Sequence, residues 1–167
     1  AHLGLHLCSA VGYLHRSGVL HLDLKPSNII AAQGMAKVLD LSVARPPGHH
    51  RGGIGTVGYM SPEQVQGGHL DTASDVWGIG AVLYEVATRE PVSDIDDEVS
   101  SAEARKIVCY PKPVRRFRRL PASLVTAIDA CLHADPAQRP SIPELALRLE
   151  GIVREAMAQA PQEAASP

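Results

Sequence analysis

The chain has 167 residues, of which 45% are hydrophobic, with 16 basic and 18 acidic side chains. This length and composition fit one globular domain with a substantial core. The near balance of charge argues against a protein that binds nucleic acid through overall charge. Only 4% of the residues are aromatic, so the core has to be packed mainly from Leu, Val, Ile and Ala, which favours helices.

Cys8, Cys109 and Cys131 are far apart in the sequence and lack the spacing of metal ligands. Buried free thiols fit a reducing compartment, so we expect a cytoplasmic protein. No apolar run approaches the ~20 residues of a membrane-spanning helix, although a membrane anchor elsewhere in the full protein stays open. Because Ala1 already lies within an amphipathic pattern, we expect further sequence upstream of it.

The first half of the chain predicts a helix, a hairpin and a long loop. Apolar residues at helical spacing predict an amphipathic helix over 2–16, which ends near Gly18. Two short strands, 29–31 and 36–39, are predicted to be joined by a turn. Residues 42–60 contain many glycines and no apolar period, which predicts a long functional loop.

The second half predicts three helices. Residues 74–88 are apolar on nearly all sides, which predicts a buried central helix. Residues 91–121 are rich in charge and proline, so surface loops and short helices are expected there, followed by a helix from about residue 124. Ser141 and Glu144 form a capping box before a last helix. We predict one domain over 1–155 and a disordered tail or linker over 156–167.

Residues 21–28, His-Leu-Asp-Leu-Lys-Pro-Ser-Asn, contain the chemistry-bearing groups, and Asp40 follows the predicted hairpin. Phosphoryl transfer from ATP needs a group to position the attacking hydroxyl, metal ions on the phosphates and a nearby cation. The order Asp23, Asn28, Asp40 resembles the catalytic core of protein kinases. The resemblance implies a mainly α fold, the C-terminal helical lobe of the protein-kinase-like fold with two short β-strands.

By this resemblance, Asp23 and Lys25 are catalytic residues: Asp23 accepts or orients the substrate hydroxyl, and Lys25 steadies the transferred phosphate of ATP. Asn28 and Asp40 are the expected ligands of Mg²⁺, with Mn²⁺ as an alternative, because both offer hard oxygen atoms. Lys25, Asn28 and Asp40 together form the expected ATP-binding set. Lys-Pro-Ser at 25–27 implies Ser/Thr rather than Tyr residues of proteins as substrates.

Residues 55–64 resemble the end of a kinase activation segment, with Ser-Pro-Glu at 61–63 in the place of Ala-Pro-Glu. Thr56, Ser61, Pro62 and Glu63 are therefore expected at the substrate site. The resemblance also assigns two structural roles. Asp75 is expected to bond the backbone of residues 21–28, which are called the catalytic loop below. Arg139 is expected to form a buried ion pair with Glu63. The sequence of residues 55–64 is most similar to that of bacterial serine/threonine kinases.

Several positions depart from the family pattern. Leu22 replaces the arginine that grips an activation-loop phosphate in the family, and the corresponding loop here, residues 43–55, contains no Ser, Thr or Tyr. Residues 43–64, which include this loop, are called the activation segment below. We therefore hypothesise that activity does not depend on phosphorylation of this loop. Leu41 and Ser42 replace the Phe and Gly that follow the metal-binding Asp. A Gly-x-Gly-x-x-Gly match at 53–58 follows a loop rather than a strand, so we do not assign it to phosphate binding.

The sequence contains no glycine-rich strand loop and no Val-Ala-Ile-Lys strand, so the N-terminal β lobe of a kinase is absent and is expected as a separate partner. The chain by itself is accordingly expected to be inactive. Two alternatives stay open. A pseudokinase would keep the fold as a binding or scaffold module without turnover, and a small-molecule phosphotransferase would share the Asp and Asn pattern.

Overall fold

The computed structural model describes residues 1–92, 111–117 and 119–159. Within these ranges the helices are α1 (His2–Arg16), α2 (Pro62–Gln66), α3 (Thr72–Thr88), α4 (Ala122–Cys131) and α5 (Ile142–Gln159). The strands are β1 (Ile29–Ala32), β2 (Met35–Val38), β3 (Gly48–His50) and β4 (Gly68–Leu70). Helices dominate, so the predicted fold class is confirmed.

Helix α3 forms the centre of the core. Asp71 precedes the helix as its N-cap, and its side chain accepts a hydrogen bond from the Ala73 N–H at 2.8 Å. Most side chains of α3 are buried, Trp77 and Tyr84 among them. Helices α1 and α4 pack against α3, and α5 packs against both α1 and α4. This arrangement confirms the buried central helix that the apolar pattern predicts.

A glycine lets α3 pack directly beneath the catalytic loop. A Cβ atom at Gly78 would lie 2.9 Å from the Cβ of Leu24, closer than real Cβ atoms come. Any larger residue at this position would push the loop away from its support. The contact between Gly78 and Leu24 therefore sets the distance between the catalytic loop and α3.

The hairpin β1–β2 agrees with the prediction to within about one residue. The strands pair antiparallel, and Ile29 lies opposite Val38. Gln33 and Gly34 form the turn with φ values of 53° and 75°, the left-handed geometry of a tight hairpin turn. Because the Leu39 N–H donates to the Asn28 carbonyl at 2.8 Å, the residues that flank the hairpin lie side by side.

The loop predicted over 42–60 contains a strand that the sequence does not reveal. Strand β3 pairs antiparallel with β4, and His49 lies opposite His69 with their ring centroids 5.3 Å apart. This three-residue strand has no alternating apolar pattern, so its pairing with β4 could not be read from local sequence. The predicted loop over 42–60 is therefore interrupted by a short strand that the prediction did not include.

Helices α1, α4 and α5 lie where the apolar patterns predict them, whereas α2 was not predicted. Helix α5 begins with the predicted capping box, in which the Ser141 N–H donates to Glu144 Oε2 at 2.8 Å, and it ends at Gln159. Cys109, the acidic residues 94–98 and Arg118 lie outside the described residues. In the described ranges no helix is both long enough and apolar enough to serve as a membrane span.

Candidate active site

The carboxylate of Asp23 lies at the centre of a small polar network. Its Oδ1 accepts a hydrogen bond from the Thr56 hydroxyl at 2.6 Å, and its Oδ2 lies 2.9 Å from the Lys25 ammonium. Lys25 also donates to the Thr56 hydroxyl at 2.7 Å. Asp23 is only 8% exposed, and these partners compensate a buried charge. Thr56, which lies 33 positions after Asp23 in the chain, thus contacts both Asp23 and Lys25.

The Asn28 amide turns toward the same carboxylate. Asn28 is the last residue of a short 3-10 turn, Pro26–Asn28. Its Nδ2 donates to the Asp23 carbonyl at 2.9 Å and to Asp23 Oδ2 at 3.2 Å. With Nδ2 used in this way, Oδ1 is the atom of Asn28 that can serve a cation. The hydrogen bonds of Nδ2 therefore leave one Asn28 oxygen as a candidate ligand for a cation.

Asp40 lies at the other end of the hairpin, with an exposed side chain and a φ of 64°. Its Oδ1 accepts a hydrogen bond from the Ser42 N–H at 3.0 Å. Hydrogen bonds from Ser42, together with the nearby charge of Lys25, hold the pKa of the Asp40 carboxyl below its usual range. Ser42 itself does not have a positive φ, so a serine in place of glycine causes no backbone strain here.

The oxygens of Asn28 and Asp40 fit a magnesium ion whose other ligands are phosphates and water. Among the described residues, no three or more His, Cys, Asp or Glu side chains are grouped so as to hold a metal ion. Mg²⁺ is often bound by one or two protein oxygens, with phosphates and water filling its other positions. Asn28 and Asp40, at adjacent ends of the hairpin, offer two such oxygens.

Asp75 holds the catalytic loop from below. The N–H groups of His21 and Leu22 each donate to its carboxylate at 2.8 Å, as does Nε2 of His15. Since Asp75 lies in the buried helix α3, the loop is attached directly to the core. The contact expected between Asp75 and the loop backbone is present.

The ring of His21 connects the loop to the hairpin. Nδ1 accepts a hydrogen bond from the Asp23 N–H at 3.2 Å, so Nε2 is the donor to the Leu39 carbonyl at 3.1 Å. Because Leu39 precedes Asp40, a single buried ring sets the spacing between the two acidic residues of the site. Sequence reasoning included His21 in the motif but gave it no role.

Leu22 lies in an apolar environment. It is 3% exposed and packs in a cluster with Leu20 and Leu70, against which Val43 and Ile54 also pack. Its φ of 63° is left-handed, a conformation that is costly for a leucine. The side chain at the family's phosphate-gripping position is thus part of a small hydrophobic core that contacts the activation segment.

The Glu63–Arg139 ion pair is present and nearly buried. Nη1 and Nη2 of Arg139 donate to the two carboxylate oxygens of Glu63 at 2.7 and 2.9 Å, and Ser74 donates to the same carboxylate at 2.8 Å. Burial by itself would raise the pKa of Glu63, but the bonds from Arg139 lower it below its usual range. The arginine also lies 5.0 Å from the centroid of the Trp77 ring, a cation–π distance.

The segment before this pair starts α2 with a full capping box. Ser61 accepts from the Gln64 N–H, and the Gln64 side chain accepts from the Ser61 N–H at 3.1 Å. Pro62 occupies the first turn of α2, where its missing N–H has no cost. Ser61, Pro62 and Glu63 therefore lie at a helix start beside Arg139, while Thr56 lies at Asp23.

Sequence reasoning gave no role to Gln64 and Tyr59, two residues near Thr56 whose side chains form long-range contacts. The Gln64 amide donates to the carbonyls of Leu22 and Ile54, and the Tyr59 hydroxyl donates to Glu85 at 2.6 Å. Burial and the bond to Glu85 raise the pKa of Tyr59. The capping-box spacing from Ser61 to Gln64 was the available signal for one of them. No local pattern indicates the Tyr59–Glu85 contact.

Comparisons with known proteins agree with this geometry. The family described as "Protein kinase domain" matches residues 1–148. Serine/threonine-protein kinase PknB from Mycobacterium tuberculosis is 36% identical over 140 residues, covering 79% of this chain and 22% of that protein. Probable serine/threonine-protein kinase PkwA from Thermomonospora curvata is 37% identical over 153 residues, covering 88% of this chain and 20% of that protein. The chain thus spans about a fifth of the length of these relatives.

A solved structure shares the fold. The kinase PK-1 of Cydia pomonella granulovirus superposes with a TM-score of 0.71 at 24% identity, covering 86% of this chain and 57% of that chain. This likeness concerns the fold alone, whereas the family match and the bacterial relatives extend to the sequence. The chain therefore belongs to the protein kinase family.

Proposed function

We propose that this chain is the catalytic lobe of a protein serine/threonine kinase, which transfers the γ-phosphate of ATP to Ser or Thr hydroxyls of proteins. The observation that supports this most is the closed network of Asp23, Lys25 and Thr56. It holds a carboxylate, a cation and an activation-segment hydroxyl within direct contact. A scaffold has no chemical need for this combination.

In this proposal Asp23 orients the incoming hydroxyl and accepts its proton, and Lys25 offers a positive charge where the transferred phosphate passes. Asn28 Oδ1 and the exposed Asp40 carboxylate would hold Mg²⁺, with Mn²⁺ as an alternative. When bound, the metal neutralises phosphate charge and orients the phosphates. The low pKa of Asp40 keeps its carboxylate ionised and ready to bind a cation.

The substrate hydroxyl would approach Asp23 past the end of the activation segment. Thr56 contacts Asp23 directly, and Ser61, Pro62 and Glu63 start the helix that supports this segment. We assign these four residues to the shape of the peptide site rather than to chemistry. The preference for Ser and Thr comes from the family resemblance at 25–27 and from the bacterial relatives.

Exposed apolar residues near the proposed metal ligands in the chain are consistent with a two-lobed enzyme. Ile30, Leu39 and Leu41 are 49%, 41% and 53% exposed, and they flank Asn28 and Asp40 in the sequence. Large exposed apolar side chains are suited to cover by a partner surface. We propose that the base of ATP and a kinase N-terminal lobe cover them, and that residues 1–155 form one catalytic lobe. Because such an enzyme uses ATP, we place the domain in the cytoplasm.

The alternative is a pseudokinase that binds but does not transfer phosphate. It is permitted by Leu22 and Ser42, which differ from the family pattern, and it predicts that the Asp23 carboxylate has no effect on any reaction. The small-molecule phosphotransferase is disfavoured by the Glu63–Arg139 pair, which supports a protein-kinase activation segment. A single phosphate-transfer assay distinguishes the proposed kinase from both alternatives.

The assay joins this chain to a kinase N-terminal lobe, its own or that of the PknB relative, and measures transfer of phosphate from ATP to a generic basic protein. Asp23→Asn should lower kcat by ~10² to 10⁴ because a general base is lost. Asp129→Asn, on the exposed side of α4, is the matched control and should leave kcat unchanged. Equal turnover by wild type and Asp23→Asn would refute the assignment, and transfer to sugars rather than protein would favour the small-molecule enzyme.

A further inference from the structure

Gln64 is a buried polar side chain with no role in the chemistry proposed above. It is 3% exposed and lies in α2, four residues before β4 begins. Its Nε2 donates to the Leu22 carbonyl at 2.8 Å and to the Ile54 carbonyl at 2.9 Å. Its Oε1 accepts from the Ser61 N–H at 3.1 Å. One amide thus connects the catalytic loop, the activation segment and the start of α2.

The two carbonyls that Gln64 binds each lie just before one of the two residues that form the Asp23–Thr56 hydrogen bond. Leu22 immediately precedes Asp23, and Ile54 lies two residues before Thr56. Asp23 and Thr56 are themselves joined by a 2.6 Å hydrogen bond. Gln64 therefore links the two chain segments close to the point at which their functional side chains meet.

Leu22 needs this support because its backbone is strained. Its left-handed φ of 63° persists in a leucine only if the surroundings enforce it. Asp75 binds its N–H at 2.8 Å, and Gln64 binds its carbonyl at the same distance. The residue before the proposed base is thus held at both ends, once by the core and once by the activation segment.

Gly55 provides independent support for the importance of the contact between residues 20–23 and 53–56, which we call the joint. A Cβ atom at residue 55 would lie 2.7 Å from the Leu22 carbonyl oxygen and 3.1 Å from Gln64 Nε2. Its φ of 116° also suits glycine. Only glycine at this position lets the activation segment approach closely enough for the amide to reach both carbonyls.

We propose that Gln64 is a positioning residue: its amide and the apolar cluster around Leu22 together hold the activation segment on the catalytic loop. Neither component is charged, so the joint needs no phosphate group. This inference rests on the proposed kinase function for its catalytic consequence, but the joint itself can be measured without turnover. The consequence is that Thr56 and Asp23 stay aligned in the unmodified protein.

The first measurement uses the wild-type chain of 167 residues. NMR hydrogen exchange should show the side-chain amide protons of Gln64 protected at least about tenfold relative to those of Gln66, which is exposed on the same helix. If the two side chains exchange at the same rate, the proposed hydrogen bonds do not persist and the proposal fails.

The second measurement compares Gln64→Met with the matched control Gln66→Met by backbone hydrogen exchange. Gln64→Met keeps the side-chain length but removes the donor to the Leu22 and Ile54 carbonyls. Exchange over 20–23 and 53–56 should therefore rise about 10- to 100-fold. Exchange in α1 and α5 should not change. Gly55→Ala should loosen the same two stretches by a different route.

Equal loosening of α5 and the joint in Gln64→Met would show a general structural role and overturn the proposal, as would no change at all. If Gln64→Met does not fold, Gly55→Ala and the wild-type amide measurement decide. In the chain joined to an N-terminal lobe, Gln64→Met should lower kcat about tenfold or more and leave KM for ATP unchanged. A wild type without turnover would refute the kinase function, whereas the exchange results would still decide the role of Gln64.

Discussion

At the scale of single residues, hydrogen bonds hold two residues of the site, Leu22 and Asp40, in strained backbone conformations. Leu22 and Asp40 both have left-handed backbones without being glycine, and each such residue costs about 1–3 kcal/mol unless its surroundings favour it. Leu22 is held by Asp75 and Gln64, and Asp40 accepts a bond from Ser42. Strain at these two positions places the acidic side chains that the proposed chemistry uses.

Asp75 allows this support to be tested with a matched pair of substitutions. Asp75→Asn places an N–H₂ group or a weaker acceptor opposite the donors that now bind the carboxylate, so the free energy of unfolding should fall by about 1–3 kcal/mol. Asp71→Asn makes the same chemical change at the exposed N-cap of α3 and should be nearly neutral, because Asn and Asp cap equally well. Urea unfolding of both variants checks the difference. Equal stability of the two variants would contradict the anchoring role.

At the scale of elements, the Glu63–Arg139 pair joins the start of α2 to the segment before α5. The side chain of Arg139 is 0% exposed and that of Glu63 is 13% exposed. Removing one partner of such a buried pair leaves an uncompensated charge and typically costs about 3–5 kcal/mol. Glu63→Ala should therefore lower the free energy of unfolding by about this amount, measured by urea denaturation.

The same pair predicts a pH dependence of stability. The folded-state pKa of Glu63 lies below its ordinary value of 4.5, so its contribution is fully present above that value. The contribution is lost as the pH falls through the lowered folded pKa, where the carboxylate takes up a proton. Unfolding free energy measured between pH 7 and about pH 2 should fall less steeply in Glu63→Gln than in wild type. Glu150→Gln, exposed on α5, should keep the wild-type slope.

At the scale of the whole molecule, the described chain presents its site on an open surface. Asp40 and the apolar side chains of Ile30, Leu39 and Leu41 are exposed, while Asp23 and Asn28 are buried and held by their neighbours. The groups for hydroxyl positioning and metal binding are in place, whereas a kinase also needs the phosphate grip of an N-terminal lobe.

Residues 1–167 alone should therefore show no measurable transfer of phosphate to a generic basic protein in a radiometric assay. The same chain joined to a kinase N-terminal lobe should be active, and Asp23→Asn in that joined form is the background control. Robust phosphorylation by residues 1–167 alone would contradict the proposed division of the site between two lobes.

The sequence by itself determined the family, the helices and the order of the chemical groups. Asp23, Lys25, Asn28 and Asp40 have fixed spacings along the chain, and the apolar periods of α1 and α5 are local patterns. Local spacing is what a sequence displays directly, because neighbouring side chains on a helix or a turn are close in number as well as in space.

Only the tertiary structure decided how the site is held together. Strand β3 acquires its structure from β4, Gln64 meets Leu22 across 42 positions, and His15 meets Asp75 across 60. Such contacts form because burial leaves each polar group in need of a partner, whichever part of the chain supplies it. The chemistry could thus be predicted from the order of residues, while the alignment of that chemistry depends on contacts that no local pattern specifies.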